Sequence, residues 1–143
     1  MRRVIDCSTA VKWEVNEPDS DEALLLRNNC RNGTLELLVP DIFPIEVANA
    51  LFGAELRGSI PVGQFANRLA NVLKVGPVLY QSTALLPRAV LIIRKAAARI
   101  GIYDCLYVAL AEREGCELVT SDKKLINAPG AAYPFIVPLS SIR

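Results

Sequence analysis

The stretch Val4-Ile5-Asp6-Cys7-Ser8-Thr9 sets a short apolar run directly before two hydroxyl residues. A run of that length with no polar alternation reads as a strand buried on both faces, Val4 to Cys7, leading into a helix. Similar apolar runs recur down the chain. Leu35–Val39, Val78–Tyr80 and Leu118–Thr120 read as further strands, and Phe135–Leu139 as a fifth, with Pro138 marking an edge or a strand end. Between them lie helical patterns over Ala23–Arg31, Ile42–Arg57, Pro61–Lys74, Leu85–Arg99 and Tyr103–Glu114. Pro18-Asp19-Ser20 starts the first of these, Pro44 and Pro87 fit first turns, and Gly58, Gly101 and Gly115 act as stops. Strands alternating with helices predict an α/β fold with a largely parallel sheet. No repeat, low-complexity stretch or linker interrupts it, so residues 1–143 are expected to form one domain.

That topology gives the acids a common address. Asp6 falls at the carboxyl end of the first strand and Asp122 just past that of the fourth. Strand carboxyl ends share one edge of a parallel sheet, and ligands bind there. Asp104 starts the helix leading into the fourth strand, which places it near the same edge. Glu46 sits in an otherwise apolar helix, with Asn49 and Gly53 on its face. A carboxylate in such company is costly to bury unless paired or bound to a cation. Each acid also has an ordinary role open to it. Asp6 could satisfy amides at a helix start, Asp104 could cap, Asp122 could serve a turn, and Glu46 could pair with Arg57 or Arg94. Their joint placement favours a shared site. Two carboxylates about 4 Å apart repel by roughly 4 kcal/mol at an effective dielectric of about 20, so a cluster must take up a cation or protons. All-oxygen ligation suits Mg²⁺ or Mn²⁺, which can align a phosphodiester and activate a water.

Composition excludes other chemistries. There is no histidine, which removes Ser–His–Asp and Cys–His catalysis and the histidine zinc sites. Cys7, Cys30, Cys105 and Cys116 form no zinc pattern and are expected to be reduced. Net charge is +1. Setting the four acids aside leaves sixteen basic against eleven acidic residues, a balance of +5 that could hold a polyanion around an acidic pocket. Lys12, Arg94, Lys95, Arg99, Lys123 and Lys124 are candidates for phosphate contacts, with a solvated helix face or turn as the plainer reading. Trp13 and the tyrosines read as packing. The 52% hydrophobic fraction fits either a well-filled core or a surface covered by another subunit. An acid at position 6 comes too early for a signal peptide, and Arg88, Arg94 and Lys95 interrupt the longest apolar region. A soluble, cytoplasmic protein with no membrane segment is expected.

At these residues the chain resembles the PIN-domain ribonucleases, and within them the VapC-type toxins of toxin–antitoxin pairs. Val4-Ile5-Asp6-Cys7-Ser8, Val11-Lys12-Trp13 with Glu17-Pro18, Pro40 through Leu51, Tyr103 through Ala111, and Leu118-Val119-Thr120-Ser121-Asp122 carry the resemblance, which spans nearly the whole chain. It implies a PIN-like three-layer sandwich with a mostly parallel sheet of about five strands flanked by helices. It implies Asp6, Glu46, Asp104 and Asp122 as catalytic and metal-holding acids, with Ser8 and Thr120 supporting them. The implied activity is endoribonucleolytic cleavage of RNA with Mg²⁺ or Mn²⁺. The implied partners are a VapB-type antitoxin and a second copy in a homodimer. Some members carry a further acid after the fourth; Lys123 and Lys124 stand there, so no fifth ligand is expected.

A haloacid-dehalogenase-like phosphatase needs an acid two positions after Asp6, where Ser8 stands. A receiver domain needs adjacent acids, and Asp6 is followed by Cys7. An inactive PIN-fold module for binding RNA or protein, and a housekeeping PIN nuclease without antitoxin, remain as alternatives.

Overall fold

The structure, a computed structural model, describes residues 1–96, 100–127 and 133–143. The strands are β1 (Arg2–Ile5), β2 (Glu36–Pro40), β3 (Val78–Tyr80), β4 (Glu117–Thr120) and β5 (Ile136–Pro138). The helices are α1 (Cys7–Ala10), α2 (Ser20–Arg31), α3 (Phe43–Leu56), α4 (Phe65–Lys74), α5 (Ser82–Lys95), α6 (Ile102–Glu114) and α7 (Lys123–Asn127). Short 3-10 turns cover Val11–Trp13 and Leu139–Ser141.

All strand pairs are parallel, in the order β3-β2-β1-β4-β5. Val4 pairs with Leu38 on one side and Leu118 on the other. Val4, Ile5, Leu37, Leu38, Val39, Leu118 and Val119 are completely buried. That explains why these strands carry continuous apolar runs rather than alternation: helices cover both faces. β5 is an edge strand, and Pro138 ends it where no outer neighbour needs its missing N–H.

α6 is the central helix. Cys105 through Ala111 are buried without a break, so it is apolar all round. It packs between α5 and strands β1, β2 and β4. Gly115, at φ +65, ends it in the left-handed conformation that glycine adopts without a Cβ clash.

Several boundaries differ from the sequence expectation. β1 stops at Ile5 and Cys7 opens α1, because Asp6 leaves the ladder to cap that helix. Pro61 does not begin α4. Gly63 has φ +89, and the Glu55 carboxylate accepts from the N–H groups of Gly63 and Phe65 at 2.8 and 3.1 Å, so the helix starts at Phe65. α5 starts at Ser82, whose N–H donates to Asp41 at 3.1 Å, and Pro87 therefore lies inside the helix. Thr83 and Pro87 are both exposed, so water can meet the carbonyl that the proline leaves without a donor. α7 was not expected. Arg99 and the last turn of the expected Leu85–Arg99 helix lie outside the described residues beyond Ala96.

Candidate active site

The strand order reverses direction between β1 and β4, since β2 and β3 lie on one side and β5 on the other. A crevice at such a switch point is where open parallel sheets bind ligands. Asp6 follows β1 and Asp122 follows β4, so the two aspartates flank it.

Asp6 is 6% exposed. It accepts from the Thr9 N–H at 3.3 Å as the cap of α1, from the Ser8 hydroxyl at 2.6 Å and from the Thr120 hydroxyl at 2.5 Å. Each hydroxyl works in two directions. Ser8 Oγ accepts from the Ser121 N–H at 3.1 Å, and Thr120 Oγ1 accepts from the Asp122 N–H at 3.0 Å. The loop after β4 is thereby tied to the carboxylate after β1. Burial pushes the Asp6 pKa up to about 6; the hydrogen bonds from Ser8, Thr120 and Thr9 oppose this, and Asp122 adds to it. Burial outweighs three donors because no cation lies against this carboxylate among the described residues.

Asp104 occupies the third position of α6 and accepts from the Gly101 N–H at a long 3.4 Å. Burial raises its pKa; the Gly101 N–H lowers it, Asp122 raises it and Lys124 lowers it. Asp122 is half-buried and accepts from the Lys124 N–H at 2.9 Å. Glu46 lies in the first turn of α3 and accepts from the Tyr107 hydroxyl at 2.7 Å. Burial raises its pKa, the Tyr107 hydrogen bond lowers it, and Asp104 raises it.

The repulsions thus run in a chain: Asp6 to Asp122, Asp122 to Asp104, Asp104 to Glu46. All four acids meet at one edge as electrostatic neighbours, and among the described residues none is in an ion pair. The alternative pairing of Glu46 with Arg57 or Arg94 is not formed. The helix-start bonds of Asp6 and Asp104 and the turn bond of Asp122 are all formed and coexist with the shared edge. Among the described residues no three acids stand close enough to form a ready coordination group. The donor set nonetheless fits a hard divalent cation. It is all oxygen, it comprises four acids of like sign, and among the described residues no lysine or arginine forms an ion pair with it.

Other expectations divide. Lys12 is 8% exposed and bonded to Glu17 at 2.9 Å, so it is the buried member of an ion pair rather than a free phosphate contact. Lys123 and Lys124 are exposed on α7, and Lys124 is near enough to Asp104 to stabilise its charge. Arg94 and Lys95 lie on the exposed face of α5, and Arg99 is outside the described residues. Trp13 is packing, its ring N–H donating to the Ala23 carbonyl at 2.8 Å. All four cysteines are free. Sequence reasoning missed Tyr107, whose spacing three residues after Asp104 on one helix face was the available signal.

The chain is similar to curated proteins along most of its length. It is 26% identical over 134 residues to the VapC ribonuclease Mb0985 of Mycobacterium bovis, covering 94% of this chain and 96% of that one. The same figures hold for ribonuclease VapC9 of Mycobacterium tuberculosis. Among solved structures, PAE2754 from Pyrobaculum aerophilum superposes with a TM-score of 0.65 at 21% identity, covering 99% of this chain and 94% of that one. VapBC2 from Rickettsia felis, bound to a DNA fragment from their promoter, gives 0.62 at 17% identity, covering 96% and 97%. These two likenesses concern the fold, a five-stranded parallel sheet between helices. The PIN domain pattern matches residues 3–131, a span that holds all four acids and every strand but β5, and the chain therefore belongs to the PIN domain family.

Proposed function

We propose that this chain is a metal-dependent endoribonuclease and the toxin of a VapBC-type pair. The observation that carries the reading is a set of four carboxylates at the switch point of a parallel sheet: Asp122 raises the proton affinity of Asp6 and Asp104, Asp104 raises that of Glu46, and among the described residues no cation is paired to any of them. The likeness to VapC ribonucleases over 94% of the chain supports the substrate class.

Asp6, Glu46, Asp104 and Asp122 would hold Mg²⁺ or Mn²⁺. The ion supplies, when bound, charge neutralisation for a phosphodiester and a water acidic enough to attack it. The chain's own part is positional. Ser8 and Thr120 fix Asp6 and, through their second hydrogen bonds, the backbone that carries Asp122. α6 delivers Asp104 from the turn just before its buried stretch, Cys105 through Ala111. Lys124, beside Asp104, is placed to meet a substrate phosphate, with Lys123 next to it.

The apolar surface supports the proposed partners. Ile45, Phe52 and Leu56 on α3 and Val62 beyond it are exposed, as are Leu86, Val90 and Leu91 on α5. A second copy and a VapB-type antitoxin would cover such faces. Among the described residues no helix is long and apolar enough to cross a membrane, and a cytoplasmic location is part of the proposal.

The test is cleavage of a mixed cellular RNA by the purified chain. Cleavage should require Mg²⁺ or Mn²⁺, stop with EDTA, and vanish in Asp104→Asn while the far-ultraviolet dichroism stays unchanged. RNA left intact by the metal-loaded parent, or cut at the parental rate by Asp104→Asn, would overturn the assignment.

A further inference from the structure

Tyr107 is the largest fully buried side chain among the described residues, at 1% exposure, and it carries a hydroxyl into the core. A phenylalanine would fill the same space without a hydroxyl to satisfy, since a buried hydroxyl lacking a partner costs about 1–3 kcal/mol. The hydroxyl does have a partner. It donates to Glu46 Oε1 at 2.7 Å, joining α6 to α3 across 61 residues of sequence. Among the described residues it is the Glu46 carboxylate's one hydrogen-bond partner, and Oε2 has none. Tyr107 also follows Asp104 by three positions on the same helix, so α6 controls two acids. It carries Asp104 directly and reaches Glu46 through the phenol.

We infer that Tyr107 is a positioning residue: its hydroxyl holds one oxygen of Glu46 and leaves the other free, setting Glu46 beside Asp104 as a preformed pair of donors for a divalent cation. The inference rests on the metal-centre reading above. An acid on a half-exposed helix face otherwise samples several rotamers, and fixing it before the ion arrives removes that ordering cost from binding. Partners that orient ligands in this way typically matter by about 10–100-fold in metal affinity.

The experiment is a calorimetric titration of Mn²⁺ into the RNA-free full chain, comparing the parent with Tyr107→Phe, Glu46→Gln, the double variant and Glu46→Asp. Tyr107→Phe keeps the ring and removes the hydrogen bond. It should weaken Mn²⁺ binding by about 10–100-fold. The double variant should bind no more weakly than Glu46→Gln, because the hydroxyl acts only through that carboxylate. Glu46→Asp, which keeps the charge but draws the carboxylate away from the phenol, should also weaken binding; if Tyr107→Phe fails to fold, Tyr107→Met, which removes the same hydroxyl with an adaptable apolar side chain, decides the matter with the same expected loss. Loss of affinity in Glu46→Gln with parental affinity in Tyr107→Phe would overturn the positioning role alone. Losses that simply add in the double variant would do the same. Parental Mn²⁺ affinity in Glu46→Gln as well would take down the metal-centre reading with it.

Discussion

Replacing Asp6 by Asn should make the metal-free chain more stable at mildly alkaline pH while abolishing RNA cleavage. Folding buries this carboxylate and raises its pKa from 3.8 to about 6. The folded chain therefore holds the proton more tightly than the unfolded chain does. The stability this confers is complete below about pH 4 and is lost as pH rises through about 6. A rise of about two pKa units corresponds to roughly 3 kcal/mol against the folded, ionised state. Asn carries no charge, so it escapes that cost, but its amide nitrogen cannot accept from Thr120 or Ser8 as a carboxylate oxygen does. One broken hydrogen bond with partial rearrangement costs about 1 kcal/mol. The net expectation in EDTA at about pH 8 is a gain near 2 kcal/mol, a rise in Tm of roughly 5–8 °C. At about pH 4 the parent is already protonated, and the variant should be the weaker of the two by about 1 kcal/mol. Urea denaturation at both pH values, in EDTA, measures the difference. An Asn variant less stable than the parent at the higher pH would show that Asp6 is a well-satisfied cap and carries no electrostatic strain.

Three further outcomes follow from the same contacts. Thr120→Val removes the donor to Asp6 and the acceptor for the Asp122 N–H from a fully buried position, so urea unfolding should show a loss of about 1–3 kcal/mol. Lys12→Met replaces the buried member of the pair with Glu17, whose own side chain is 37% exposed and can turn to water. Stability by thermal melting should change by less than about 1 kcal/mol, and RNA affinity in a filter-binding assay should stay at the parental value. Gly115→Ala forces a Cβ into the left-handed cap at φ +65, where the space is open but the backbone is strained, and should lower stability by about 1 kcal/mol in a urea titration.

Much of the fold was legible because parallel strands buried on two faces leave an unmistakable local trace. Val4-Ile5, Leu37-Leu38-Val39 and Leu118-Val119 are such runs. Boundaries were less legible where a distant side chain sets them. Asp41 fixes the start of α5 by accepting from Ser82, and Glu55 fixes that of α4 by accepting from Gly63 and Phe65; neither bond leaves a mark on the helix itself. Lys12 read as a cation available to a ligand because its burial depends on Glu17 and the turn between them. Tyr107 read as packing, which it also is. Its hydroxyl gains significance only from an acid on another helix.

Local pattern alone settled the alternation of strands and helices, and with it the fact that acids after β1, after β4 and at the head of α6 share one edge. That follows from polarity of the chain: every strand points the same way, the helices that leave β1 and β4 begin where those strands finish, and so does the helix that leads into β4. What local pattern could not supply is the lateral order β3-β2-β1-β4-β5, which puts the first strand beside the fourth and Asp6 against Thr120. Neighbours in a parallel sheet are selected by how whole layers pack, over separations of a hundred residues or more, and that selection belongs to the folded molecule.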